Sequence, residues 1–480
     1  MPTEPIPVVD LFAGPGGLGE GFSRVLDSDG SSVFKTVISV EKDPFARQTL
    51  RLRAFYRPFR ASGQKPPDAF FKLIEATNLK ERESALVSLS NEPAWKEACV
   101  EIPEWKKAGR EDELSCELGP DNSKIHTEIR KRLNGAQRWV LIGGPPCQAY
   151  SLVGRSRMKN HDGSKEDARH FLYREYLEVI KMFKPSIFVM ENVKGLNTAK
   201  VNGKAILPLI KKDLKTAGYV LKAVVKPNVE GDFLVKSELY GIPQTRHRVI
   251  IVGVKKTEKR LAQLLLPLEK IKTAETTFNA LSGLPPLSAL KSSRPRAKYK
   301  IRDTGEPCRP ISYECKFDAE DLRDFISSRS TPLSGLLLNH EARSHMQEDL
   351  DRYQWWVDNA TATSSPKLNG KVPRNLLPKH SNSLIKGATA FTDRFKVQVK
   401  DRPCGTITSH ISKDGHYYIH YSRTQARSFS VREAARIQTF PDDYFFMGNR
   451  TQQYHQVGNA VPPYLAYQIG QRVWAALKGK

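Results

Sequence analysis

The sequence predicts an α/β fold: an open parallel sheet flanked by helices, joined to a second, smaller domain of different texture. Three observations carry this. An apolar strand, PVVDLF at 7–12, runs into a glycine-rich turn at 13–19 and then into a helix from Glu20. A second strand, TVISVE at 36–41, ends on an acid. Further apolar runs at 139–142, 186–190 and 249–254 keep the strand–helix rhythm, which is lost over 256–400.

Each element has its own warrant. Over 50–135 the chain is charged and mostly helical in pattern, with loop-like ASGQKPP at 61–67, and reads as helices added to the core. Trp139-Val140-Leu141-Ile142 is a short buried strand followed by Gly143-Gly144-Pro145-Pro146-Cys147. Phe171, Leu172, Tyr176, Leu177 and Ile180 recur at helical spacing, and SIFVM at 186–190 is a strand that ends at Glu191. The stretch 256–400 mixes prolines, short apolar runs and the basic segment KSSRPRAKYKIR at 291–302. Near the C-terminal end VREAARIQ is helix-like, and the periodicity of QVGNAVPPYLAYQIGQRVWAAL predicts a core-packed helix. The resulting division is a catalytic domain over 1–260 with a helical insertion at about 51–138, a second domain over 261–425, and a segment over 426–480 that returns to the first.

Composition narrows the partners. Lysine and arginine number 76 against 52 acids, a formal charge of +24, which favours a polyanion. No run of 18 apolar residues indicates a membrane span, and MPTEPIPVVDLFAG lacks the basic start of a signal peptide. The six cysteines, at 99, 116, 147, 308, 315 and 404, form no CxxC pair, which fits reduced thiols in a cytoplasm.

Two features point to chemistry. Gly14, Gly16 and Gly19 fit G-x-G-x-x-G after a strand, a spacing that permits a tight turn and close backbone approach to a ligand. Glu41, at the end of the next strand, is placed to hydrogen-bond ribose hydroxyls. These residues alone leave open a dinucleotide, S-adenosylmethionine or a plain turn. Cys147 stands beyond the carboxyl end of a strand, where open α/β sheets bind ligands, on a turn stiffened by two prolines. A thiolate there is a strong nucleophile, although a lone cysteine is more often buried and inert. A zinc deaminase is excluded: His126-Thr127-Glu128 gives H-x-E, but Pro146-Cys147 continues to Tyr150 where the signature requires a cysteine. His126 and Glu128 are read as solvated helix residues.

Together, DLFAGPGG, GGPPCQAYS, MENVKG, GIPQTRHRVIIVGV, RPCGTITSH, REAARIQTFPDDYFF and QVGNAVPP resemble, in order, the motifs of the cytosine-5 DNA methyltransferase family. They cover roughly 1–50, 139–255 and 400–475. The resemblance implies a Rossmann-like S-adenosylmethionine-dependent methyltransferase sheet, with a target-recognition domain in the unmatched stretch 256–400. It implies that Cys147 attacks carbon 6 of cytosine, that Glu191 hydrogen-bonds or protonates ring nitrogen 3, and that Arg246 and Arg248 hold the base. Phe12, Gly14, Gly16, Leu18, Glu41, Pro146, Asn459 and Val461 would contact the cofactor. Gln148 and Ser151 would lie in a mobile loop closing over double-stranded DNA, with Arg155 and Arg157 gripping phosphates. The chemistry requires no metal, and the target base must leave the stack. The architecture resembles bacterial modification enzymes of restriction systems, and a monomer without an obligate protein partner is expected. In two respects the chain departs from the family: no aspartate in 51–138 matches the one near the adenine, and the spacer from Glu41 to Cys147 is long.

Overall fold

The computed structural model describes residues 4–76, 78–107, 110–116, 118–119, 122–146, 166–201, 204–226, 232–288, 290–291, 308–310, 316–327, 331–362, 372–377 and 394–479. Its centre is a seven-stranded sheet of β1 (Ile6–Leu11), β2 (Phe34–Val40), β3 (Val140–Gly143), β4 (Ile187–Val193), β5 (Tyr219–Ala223), β6 (Leu234–Lys236) and β7 (His247–Lys255). The order is β2-β1-β3-β4-β7, and β5 and β6 share the outer edge of β7. β2, β1, β3 and β4 pair in parallel, whereas β7 runs antiparallel to β4, β5 and β6. Val140–Ile142 and Ile187–Val189 are wholly buried, as strands covered on both faces must be, and this explains their unbroken apolar runs.

Helices pack on the sheet and beside it, among them α1 (Gly17–Ser23), α2 (Pro44–Ser62), α3 (Asp68–Glu75), α4 (Leu79–Ser90), α5 (Pro93–Glu101), α6 (Ser123–Leu133), α7 (Glu166–Phe183), α8 (Ile206–Thr216), α9 (Gln347–Ala362), α10 (Val431–Ile437), α11 (Arg450–Asn459) and α12 (Pro463–Lys478). α1 starts three residues before the expected Glu20, because Gly16 takes the left-handed conformation (φ 93°) and caps it. The long helix read across QVGNAVPPYLAYQIGQRVWAAL is two helices. Pro462 and Pro463 interrupt it; α11 gives Tyr454 and Val457 to the sheet core, and α12 gives Leu465, Ile469 and Val473.

The stretch 51–138 divides in a way its charge pattern hides. α2 to α5 build a separate apolar cluster that includes Phe55, Tyr56, Phe70, Leu73, Ile74, Leu89 and Ile102. A hairpin of Trp105–Lys107 and Arg110–Ser115, not anticipated in the sequence, follows. α6 belongs to the sheet, since Ile125, Ile129 and Leu133 join its core at i, i+4 and i+8. His126 is not solvated as expected. It is buried (8% exposed) with its ring edge-on to Phe183, while Glu128 pairs with Arg132 at 2.8 Å. A third cluster, in the irregular region, packs Tyr353, Trp356 and Val357 of α9 against Phe395, Val397 and Ile419. No helix among the described residues is long and apolar enough to cross a membrane.

α1 and α12 meet backbone to backbone. A β-carbon on Gly17 would stand 2.1 Å from the Val461 carbonyl oxygen, and one on Gly21 2.4 Å from that of Pro463. Neither carbonyl oxygen is the tip of a flexible side chain. Gly21→Ala is therefore expected to cost about 1–3 kcal/mol, the usual penalty of overpacking, measured as a lower midpoint in urea unfolding. An unchanged midpoint would show that the two helices separate freely.

Candidate active site

The site forms where β1, β2, β3 and β4 deliver their carboxyl ends to one edge of the sheet. After β1 the backbone turns through Phe12 (φ 56°), Gly14 (φ 58°) and Gly16 (φ 93°). The turn is held by Ala13 N–H donating to Val40 O at 3.1 Å and Gly16 N–H donating to Ala13 O at 2.9 Å. A β-carbon on Gly14 would meet no atom within 4 Å, so this turn faces open space. Glu41, directly after β2, stands beside it. One oxygen accepts the Gly14 N–H at 2.7 Å and the other the Asp43 N–H at 2.7 Å. Burial pushes the Glu41 carboxyl up from its ordinary range, and these backbone donors act against that rise.

Asp10 was missed in the sequence reading. It lies wholly buried in β1, where the backbone N–H of Gly19 is the donor that acts on its carboxylate. Burial first, then the charge of Glu41, hold its carboxyl well above the usual range. A β-carbon on Gly19 would come 3.1 Å from Asp10 Oδ2, so the third glycine makes room for this acid rather than for a ligand. The available signal was a lone charge inside the apolar run VVDLF.

The turn after β3 is fixed from two sides. A β-carbon on Gly143 would lie 2.4 Å from Leu11 O, and Asn192 Nδ2 donates to Pro145 O at 3.1 Å. Asn192 thus pins the turn that leads to Cys147, a role its sequence position did not reveal. Pro146 is exposed at the end of this turn. Cys147, Gln148, Ser151, Arg155 and Arg157 lie outside the described residues, as does most of the basic segment 291–302.

Glu191, on β4, has its Oε2 3.1 Å from where a β-carbon of Gly144 would be, which puts it beside the turn. Its Oε1 pairs with Arg248 Nε at 2.8 Å, and both side chains keep slight exposure (13% and 14%). The antiparallel register makes this meeting: Arg248 stands opposite Val193 and Ile250 opposite Glu191. Burial lowers the Arg248 pKa and the Glu191 charge opposes the fall.

Arg246 goes elsewhere. Only 2% exposed, it donates from Nη1 to Ile407 O at 2.7 Å and from Nη2 to Gly458 O at 3.4 Å, and its Nε has no partner. It ties the RPCGTITSH and QVGNAVPP segments to β7. The remaining expected contacts divide. Val461 presents its carbonyl to Gly17 beside the glycine turn, and the Asn459 amide rests 3.2 Å from His455 Nδ1 on an exposed surface. The Leu18 side chain is buried in the sheet core (5% exposed), because its position on α1 faces inward.

An open sheet with one reversed strand, a glycine turn facing space and an acid set beside that turn fit the class of Rossmann-like methyltransferases. Within that class the chain belongs to the C-5 cytosine-specific DNA methylases, whose family model matches residues 120–475. It is similar to the type II methyltransferase M.Bpa9945I of Bacillus paralicheniformis, with 34% identity over 98% of this chain and 99% of the relative. It is also similar to the type II methyltransferase M.DdeI of Desulfomicrobium norvegicum, with 29% identity over 69% of this chain and 72% of that one. A solved E. coli structure, described as a prophage-encoded DNA modification methyltransferase, superposes with a TM-score of 0.57 at 21% identity, covering 98% of this chain and 99% of that one. That likeness concerns the fold. The enzyme is accordingly a DNA cytosine-5 methyltransferase with S-adenosylmethionine as methyl donor.

The residues present fit that donor: the turn at Gly14 opens onto space that a ligand can enter, and Glu41 offers carboxylate lone pairs at its edge. Glu41→Ala removes a charged acceptor from the Gly14 and Asp43 amides. It is expected to weaken S-adenosylmethionine binding by about 10- to 100-fold, the equivalent of one charge-assisted hydrogen bond. Calorimetric titration checks this, and an unchanged affinity would remove Glu41 from the site.

Proposed function

We propose that the enzyme methylates carbon 5 of a flipped-out cytosine in a specific short sequence of double-stranded DNA, with Cys147 as covalent nucleophile. The observation that carries this is the Glu191–Arg248 pair at 2.8 Å, set against the Gly143–Pro146 turn that runs directly into Cys147.

Carbon 5 of cytosine is a weak nucleophile. Addition of the Cys147 thiolate at carbon 6 makes the ring enamine-like and moves negative charge towards ring nitrogen 3. Glu191 hydrogen-bonds or protonates that nitrogen, and Arg248 fixes the carboxylate while offering a cation to the exocyclic oxygen. Arg246 acts as a positioning residue, since its guanidinium is occupied by main-chain carbonyls. Asn192 holds the turn at Pro145, the last fixed point before Cys147 in the sequence. S-adenosylmethionine, when bound, supplies an electrophilic methyl group on a sulfonium. Loss of the carbon 5 proton and release of the thiolate then restore the aromatic ring. Phe12, Gly14, Gly16, Glu41, Pro146, Asn459 and Val461 line the donor's side of this arrangement. Gln148, Ser151, Arg155 and Arg157 close over the DNA, and the second domain reads the sequence.

A chain of this architecture, acting as a monomer, protects host DNA within a restriction-modification system. Incubation with labelled S-adenosylmethionine and either unmethylated duplex DNA or transfer RNA tests the reading, with bisulfite sequencing of the DNA product. Label on cytosine within one recurring short sequence is the expected result. Label on RNA alone would overturn the substrate, and label spread over all cytosines would overturn the specificity.

A further inference from the structure

The turn after β1 holds three positive φ values within five residues, at Phe12, Gly14 and Gly16. A side chain such as that of Phe12 is strained there, and the conformation persists only where neighbouring structure enforces it. Part of that enforcement comes from the turn's own N–H groups. Ala13, Gly14 and Gly16 donate to Val40 O, Glu41 Oε2 and Ala13 O. Pro15 has no N–H to give. Its carbonyl is the one polar main-chain group it offers, and the Tyr444 hydroxyl donates to it from 429 residues further along the chain.

Tyr444 is itself firmly anchored. It follows α10, is buried, and donates its N–H to Pro441 O at 3.0 Å. Its carbonyl accepts from Arg432 Nη2 at 2.5 Å. The ring packs against Phe440 and Phe446, with centroids 4.8 and 5.3 Å away. The Arg53 guanidinium lies over its face, 4.8 Å from the centroid, and is held in turn by Glu20 at 2.6 Å and Asp443 at 3.0 Å. Backbone, ring and face are all engaged, so the hydroxyl is a fixed point from which the turn can be held. The turn is shaped to receive it: a β-carbon on Gly16 would stand 3.1 Å from Tyr444 Oη. The glycine thus lets the hydroxyl come close to the backbone of its neighbour.

We infer that Tyr444 is a positioning residue for the methyl donor: its hydroxyl holds the Pro15 carbonyl, and with it the turn from Gly14 to Gly16, in the conformation that S-adenosylmethionine binds. The inference rests on the proposed placement of the donor at this turn. Tyr444 acts through the backbone of the turn and not on the reacting atoms. Without its bond, the donor must order the turn as it binds, and that cost is subtracted from its affinity.

The test compares two variants that each lose one oxygen atom. Tyr444→Phe removes the hydroxyl and keeps the ring beneath Arg53. Tyr454→Phe, in α11, removes an equally buried hydroxyl that donates to Phe429 O, a carbonyl outside the turn. Both variants are expected to lower the melting temperature by similar small amounts. Calorimetric titration should show S-adenosylmethionine binding about 5- to 10-fold weaker in Tyr444→Phe, the equivalent of one buried hydrogen bond, and unchanged in Tyr454→Phe. In methyl transfer to duplex DNA by Tyr444→Phe, KM for the donor rises by more than kcat falls. Wild-type affinity in Tyr444→Phe overturns the inference, and so does equal weakening in both variants, which would assign the effect to general loosening. Glu41→Ala, titrated alongside, separates the inference from the reading beneath it. Weakened binding in Glu41→Ala with full affinity in Tyr444→Phe removes Tyr444 alone. Full affinity in Glu41→Ala with weakened binding in Tyr444→Phe counts against the Glu41 contact and leaves the role of the hydroxyl standing.

Discussion

Cys147→Ala abolishes methyl transfer to DNA and leaves S-adenosylmethionine affinity intact. The separation of the two effects follows from where the parts are anchored. The surface proposed for the donor is the turn after β1 with Glu41 after β2, whereas Cys147 follows the turn after β3 in the sequence. Removing the sulfur removes the only group in the proposed chemistry that raises electron density at carbon 5. Glu191 and Arg248 stabilise charge only once addition has occurred, so they cannot compensate. Label transfer under single-turnover conditions, beside a calorimetric titration of the donor, reads both halves. Retained turnover would sink covalent catalysis, and lost donor binding would mean that the turn, not the thiol, had been damaged.

The second large effect is on stability. Three histidines are buried neutral around α10. His340 bonds to Ser430 Oγ at 2.8 Å and Pro285 O at 2.9 Å, and burial lowers its pKa to about 4. His345, 3.1 Å from Ser428 Oγ, is lowered to about 3 by burial, with Arg343 and His416 adding to the fall. His420 accepts the Ser422 N–H at 3.0 Å and is lowered to about 4 by burial, with Glu433 opposing and Arg427 assisting. In the unfolded chain each titrates near 6.5. Between that value and about 4 the unfolded state holds more protons than the folded one, so stability falls as pH falls. Each histidine then costs about 2 kcal/mol by pH 5. Asp10 and Glu41 run the other way, because their raised carboxyls take up protons in the folded state first. The histidine effect is therefore read by difference. His420→Asn keeps an acceptor for Ser422 and has nothing to protonate. Its stability deficit against wild type should shrink by about 2 kcal/mol from pH 7 to pH 5 in urea melts. A deficit that stays constant with pH would show that His420 is not held neutral.

Much of the sheet was legible because its strands are covered on both faces and so write themselves as unbroken apolar runs. The glycine turn and Glu41 were legible because positive φ and a strand-end acid leave fixed spacings. What stayed hidden depends on partners far away in sequence. Arg246 and Arg248 look alike in Gln-Thr-Arg-His-Arg. Yet one is absorbed by carbonyls at 407 and 458, while the other meets Glu191 across β4. Asp10 needed the placement of Gly19 to be recognised as enclosed. His126 appeared solvated until α7 brought Phe183 to its ring. The break at Pro462-Pro463 was readable from the missing N–H groups, and apolar periodicity masked it.

The backbone contact between α1 and α12 also bears on how the chain is made. Gly17 meets Val461 directly after the glycine turn, so this contact joins segments translated more than 400 residues apart. A ribosome-bound chain can form β1 and β2 early and still lack this contact until α12 emerges. A chain cut short before that helix is expected to release no partially active methylase into the cell.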